Sequence, residues 1–162
     1  PAGAPGSDAP LAARSVGQDA VTATPLGVAG LIALAAADGN APLPRVDRDR
    51  AIALRAVLPA PQAHRLRDAL LAVVQRGTAA RAFADNPHRD RILGKTGSAQ
   101  RVDRNGLKRT DAWFAGAILP PEGVDEDPMV VVALLPGGGL GGGKAAEAVD
   151  QFSRDLVAAR GW

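Results

Sequence analysis

Four consecutive residues, Lys95-Thr96-Gly97-Ser98, combine a cation, two hydroxyls and a residue with no side chain. An ammonium beside two hydroxyls suits a carboxylate, and a glycine lets a second backbone approach closely. A second candidate is Gly138-Gly139-Leu140-Gly141-Gly142-Gly143-Lys144, which fits the phosphate-cradling pattern G-x-x-x-x-G-K between a predicted strand and a predicted helix. Ala145 then stands where a serine or threonine should hold magnesium, and only 18 residues follow Lys144. Nucleotide binding at 138–144 is therefore disfavoured, and a turn between strand and helix is the simpler reading. His64 and His88 stand far apart with no carboxylate-rich cluster around them, which argues against a metal. No cofactor is implied by any of these patterns.

The elements must place those residues. The stretch 1–14 is rich in proline, alanine and glycine and reads as a flexible lead-in without an element. Thr24 caps a helix that Pro25 opens, with Val28, Leu31, Ile32 and Ala35 at helical spacing and Asp38-Gly39-Asn40 as the stop. Residues 41–50 read as a polar loop and 51–58 as a short strand or turn. A second helix runs from Pro61 to Gln75, with Leu66, Leu70, Val73 and Val74 on one face and Gly77 beyond its end. The period then changes. Ile92 to Val102 reads as a strand, Asn105-Gly106 as a type I′ turn, Asp111 to Leu119 as a second strand with Trp113 and Phe114 in the sheet core. Met129 to Leu135 is a third strand, apolar enough for burial on both faces. A last helix spans Ala145 to Arg160. The fold class is α+β: an antiparallel three-strand meander with flanking helices.

Composition narrows the partners. The 162 residues suffice for one domain, occupying 15–162 after the lead-in. Aromatics make up 3%, so few side chains could stack on bases. The net charge is +2, and basic residues alternate with acids, as in Asp47-Arg48-Asp49-Arg50. Neither nucleic acid nor a membrane surface is implied by such a field. The absence of cysteine excludes disulfides and thiolate sites and fits an exported protein. No stretch is apolar and long enough to span a bilayer, so no membrane contact is expected from this segment. The chain opens on Pro1 rather than methionine and lacks a signal-peptide pattern, which points to a processed piece. Low lysine with high alanine and arginine hints at a GC-rich bacterial genome.

Several segments in order resemble penicillin-binding transpeptidases. Gly17-Gln18 stands for the family's glycine-glutamine pair, and Thr24-Pro25-Leu26 resembles its threonine-proline-leucine helix start. Gly77-Thr78-Ala79 resembles the glycine-threonine-alanine ahead of the substrate strand, and Gly94-Lys95-Thr96-Gly97-Ser98-Ala99-Gln100 is similar to that strand. Asp111-Ala112-Trp113-Phe114-Ala115-Gly116 is similar to the strand after it. The resemblance extends over residues 15–160. It departs at Asp19, where the family usually has glycine.

The resemblance implies a serine D,D-transpeptidase of peptidoglycan cross-linking, periplasmic or otherwise extracytoplasmic, with the stem peptide as substrate and β-lactams as ligands. Lys95, Thr96, Gly97 and Ser98 would form the substrate strand. Lys95 would serve the substrate's carboxylate or move protons, and the backbone N–H of Ser98 would be an oxyanion donor. Thr24 reads as a cap, and Gly77 and Thr78 as turn-formers. The family's nucleophile lies in a Ser-x-x-Lys motif. Here the serines are Ser7, Ser15, Ser98 and Ser153, and none has lysine three residues on. The chain therefore reads as the C-terminal part of the fold. Its nucleophile, its membrane anchor and a sheet partner for the third strand would lie in an N-terminal segment that is missing here, and the isolated chain should be inactive and poorly stable. The alternatives are a non-catalytic peptide- or β-lactam-binding module, or a D,D-carboxypeptidase or β-lactamase relative. Gln100 leans toward a monofunctional parent and Asp111 toward a bifunctional one.

Overall fold

The structure, a computed structural model, describes residues 9–15, 17–18, 21–44, 49 and 53–162. Asp19, Ser7 and the first eight residues of the expected lead-in lie outside the described residues. The composition of 1–14 predicts no element, yet Ala9–Ser15 forms helix α1. Pro10 falls in its first turn, where the missing N–H costs nothing. Its end is a glycine stop. Gly17 takes φ 77° and donates to the Arg14 carbonyl (3.0 Å), while Gln18 N–H donates to Ala13 O (2.9 Å). That pair of bonds satisfies the last carbonyls of the helix and needs glycine at the left-handed position.

Helix α2 spans Pro25–Ala36, and the Thr24 hydroxyl accepts from Gly27 N–H at 3.1 Å, as the cap signal predicts. Asp38 (φ 51°) and Gly39 (φ 91°) reverse the chain. Strand β1 (Asn40–Pro42) then pairs antiparallel with β2 (Leu54–Ala56). The first of these falls where only a loop is predicted: three residues carry too little pattern to be read, and Pro42 is tolerated at a strand end. Helix α3 spans Ala60–Gln75.

The main sheet is the expected meander: β3 (Ile92–Val102), β4 (Lys108–Ile118) and β5 (Met129–Leu135), antiparallel in that order. Helix α4 (Ala146–Arg160) follows a kinked segment at Gly141–Ala145, in which Gly143 departs from helical geometry. Alternation along each strand makes two cores. On one face Ile92, Ala112, Phe114 and Ile118 pack with Phe83 and with Val149 and Val157 of α4. Phe83 and Phe114 meet with ring centroids 5.5 Å apart, tilted by 35°. On the other face Leu93, Ala115 and Ala117 pack with Ile32, Ala35 and Ala36 of α2. Helix α3 straddles the edge, giving Leu70 to one core and Val74 to the other. Leu66, predicted on its buried face, is 37% exposed, and Ala63 is buried instead. Strand β5 sends side chains into both cores, but each stays part-exposed, because among the described residues it pairs only with β4.

The β3–β4 turn differs from the predicted type I′. Gly106 alone takes positive φ (77°), Asn105 does not, and Gly106 N–H donates to Asp103 O at 3.0 Å. The cause is the Asp103 carboxylate, which accepts from Asn105 N–H (2.9 Å) and Leu107 N–H (3.0 Å) and so favours a type I turn with a glycine bulge. The Leu107 N–H, then the Arg109 guanidinium, hold the Asp103 carboxyl below the ordinary carboxylate range. The Arg101 guanidinium, at 2.7 Å, and the Gly137 N–H do the same for Asp111. Both groups bind protons less readily folded than unfolded. Their stabilisation is complete above 3.8 and fades as pH falls through the lowered folded values. Asp103→Asn and Asp111→Asn should therefore lower the melting temperature near neutral pH and flatten its decline in acid. A pair of acid limbs parallel to the parent's would contradict this.

Candidate active site

The phase of the β3–β4 ladder fixes where the backbone of Lys95–Ser98 points. Leu119 N–H donates to Arg91 O (2.9 Å) just before the ladder, and Asp103 N–H donates to Leu107 O (2.9 Å) just after it. With Gly97 opposite Trp113 and Ser98 opposite Ala112, the odd residues between turn their N–H and C=O toward β4. Thr96, Ser98 and Gln100 therefore turn theirs to the opposite, free edge. The Ser98 N–H has no hydrogen-bond partner among the described residues. It is a donor held out at a strand edge.

Side chains divide by the same alternation. Lys95 and Gly97 lie on the α2 face, and Thr96 and Ser98 on the α4 face. Lys95 Nζ folds to the edge and donates to Thr96 O at 2.6 Å. The Thr96 hydroxyl meets the Thr78 hydroxyl at 2.6 Å. Ser98 Oγ accepts from Gly141 N–H at 3.2 Å. Gln18 Nε2 reaches across 80 residues of sequence to donate to Ser98 O at 3.1 Å. The four expected substrate-strand residues are thus brought together, and three more side chains or amides are added to them.

Those additions were not legible as site residues. Thr78 is predicted only to shape a turn, yet its hydroxyl supports that of Thr96. The glycine run is predicted to be a plain turn, yet it is packed hard against the strand. A Cβ on Gly141 would sit 2.3 Å from both Gly97 O and Trp113 O, and one on Gly142 would sit 2.3 Å from Thr78 O. Close packing on backbone explains those glycines without a phosphate. Trp113, predicted in the sheet core, is instead part-exposed at a cavity, while Phe114 is fully buried.

That cavity, about 680 Å³, opens beside the strand. Lys95, Gly97 and Trp113 of the sheet border it, with Leu31 of α2, Leu66 of α3 and Gln18. Ser98 also borders it, but among the described residues no serine hydroxyl is turned into it. Ser15 Oγ donates to Ala12 O, Ser98 Oγ is turned to Gly141 on the far face, and Ser153 is buried against Asp150 O and Asn86. His64 lies 3.2 Å from Asp38, and His88 meets Arg91 at 3.1 Å. No cluster of three metal-ligating groups occurs among the described residues, and no helix there is long and apolar enough to cross a membrane.

A family model described as the penicillin binding protein transpeptidase domain matches residues 3–154. This chain belongs to the penicillin-binding transpeptidase family. Two solved structures share its fold. The TP domain of penicillin-binding protein 3 from Burkholderia pseudomallei matches 85% of the chain at 23% identity with a TM-score of 0.63. PBPA from Mycobacterium tuberculosis matches 97% at 23% identity with a TM-score of 0.66. The chain spans only 42% and 39% of their lengths. No curated protein matches it. As a transpeptidase-family segment, the chain holds the Lys95-Thr96-Gly97-Ser98 strand at the open edge of its sheet.

Proposed function

We propose that this chain supplies the substrate strand of a serine D,D-transpeptidase acting on peptidoglycan stem peptides, and that its nucleophile lies on a segment outside this sequence. The carrying observation is the free β3 edge, with Ser98 N–H and C=O turned outward beside the Lys95 ammonium. An extended peptide ending in D-Ala-D-Ala pairs with that edge as an added strand. Its terminal carboxylate meets Lys95, Thr96 and their neighbours, and its reacting carbonyl lies on the Ser98 N–H, one of two oxyanion donors. A β-lactam presents the same carboxylate and carbonyl. The work is extracytoplasmic, where the family finds its substrate.

The complementary segment has a seat. The cavity beside Lys95 is apolar, and α2 is hydrophobic on more sides than it buries: Leu26 is 64% exposed and Leu31 66%. A helix with that composition is built for cover on two faces. The edge of β5 that is unpaired among the described residues needs a further strand for the same reason. These features favour a partial domain over a complete non-catalytic module.

The test offers the full-length protein an acyl-D-Ala-D-Ala donor and an amine acceptor. Release of D-alanine with transfer to the amine is the expected result. Release with hydrolysis alone supports a carboxypeptidase. Reversible binding of a β-lactam with no covalent adduct supports the non-catalytic module and overturns the proposal.

A further inference from the structure

Gln18 stands where the substrate must go. Its Nε2 donates to Ser98 O at 3.1 Å, on the free edge of the substrate strand. The position is fixed from behind, because Gln18 is the residue just after the glycine stop of α1 and its own N–H is tied to Ala13 O at 2.9 Å. Only the amide end of a glutamine can donate to a carbonyl, so the contact defines its orientation.

A peptide laid antiparallel on this edge exchanges two bonds with Ser98. Its carbonyl accepts from Ser98 N–H, and the N–H of the same residue donates to Ser98 O. If the accepting carbonyl is the reacting one, as the proposed function has it, that residue is the penultimate alanine of the donor. Its N–H and the Gln18 carboxamide compete for one acceptor. Gln18 does not block the Ser98 N–H, so the oxyanion position stays open while the neighbouring carbonyl is filled.

We propose that Gln18 is a built-in competitor for the substrate's penultimate amide, holding Ser98 O until a donor brings an N–H to it. This rests on the substrate-strand reading above. A donor with that N–H exchanges one hydrogen bond for another. A donor without it has no hydrogen bond to offer Ser98 O and leaves Gln18 in place. The donor that meets this competition is an acyl-D-alanyl-D-alanine; an acyl-D-lactyl-D-alanine, in which an ester oxygen replaces the penultimate N–H, does not.

The experiment uses the full-length protein with both donors. Gln18→Ala removes the donating amide. It should raise kcat/KM for the alanyl donor about threefold to tenfold, through KM, because one ordinary hydrogen bond no longer has to be displaced. It should not raise it for the lactyl donor, so the alanyl-to-lactyl ratio rises by the same factor. In the unsubstituted protein labelled with nitrogen-15, the alanyl donor should move the Gln18 side-chain amide resonance and the lactyl donor should not; this needs no variant to fold. A fall in kcat/KM in a folded variant, an unchanged ratio, or a Gln18 resonance blind to the alanyl donor overturns the competitor role while donor turnover continues. Absence of any turnover by the unsubstituted protein overturns the substrate-strand reading itself, and this inference with it.

Discussion

Lys95→Ala should lower the rate at which the full-length protein is acylated by penicillin about 10²–10³-fold, with little change in melting temperature. Lys95 is exposed on the sheet, and among the described residues its only hydrogen bond is to Thr96 O at 2.6 Å. Surface substitutions of this kind usually stay within about 0.5 kcal/mol of the parent in stability. Its value lies in position: the ammonium is held on the same edge as the outward Ser98 N–H, where the proposed function puts the substrate carboxylate and the developing oxyanion. Removing that charge leaves the carboxylate facing hydroxyls alone. Lys95→Arg keeps the charge but not the compact, mobile proton donor, so it should restore binding more than rate. Stopped-flow acylation separates the two. Equal acylation by Lys95→Ala and the parent would remove Lys95 from the site.

Gly141→Ala should be the most damaging small substitution in the glycine-rich loop. The added methyl would meet Gly97 O and Trp113 O, each at 2.3 Å, and Gly97 N at 2.7 Å. All three are backbone atoms of the β3–β4 ladder and cannot rotate away. Either the ladder opens at Gly97 and Trp113 or the loop lifts, and lifting breaks the Gly141 N–H contact to Ser98 Oγ. Overpacking of this sort costs about 1–3 kcal/mol, or a fall of roughly 3–10 °C for a chain of this size. Gly30→Ala is the control. Nothing lies within 4 Å of a Cβ there, and the site is inside α2. Alanine at such a position should stabilise by about 0.5–1 kcal/mol. Differential scanning of the two variants distinguishes steric loss from a general intolerance of alanine for glycine.

The sequence carried the parts of this site that are local. The strand of Lys95-Thr96-Gly97-Ser98 is marked by its own residues, and its antiparallel partner by the turn residues between them. The cap of α2 is likewise written in Thr24 and Pro25. What escaped was set by contacts across the chain. Gln18 and Ser98 are 80 residues apart, and nothing in Gly17-Gln18 alone names a partner. Thr78 looks like a turn residue because it is one, and only the fold brings its hydroxyl to Thr96. Helix α1 was hidden by a composition that favours disorder on average, although the glycine at position 17 was a usable stop signal. Leu66 fits the apolar stripe of α3, but that helix lies along a sheet edge, so part of the stripe faces the cavity instead of the core. Asn105-Gly106 predicts one turn type in isolation, and the Asp103 carboxylate selects another.

The most direct measurement is covalent labelling of this chain by a fluorescent penicillin, alone and mixed with the N-terminal remainder of its parent, read by denaturing gel and intact mass. The account expects label only in the mixture, and on the other piece. Label on the 162-residue chain itself would contradict it, because one of Ser7, Ser15, Ser98 and Ser153 would then be the nucleophile.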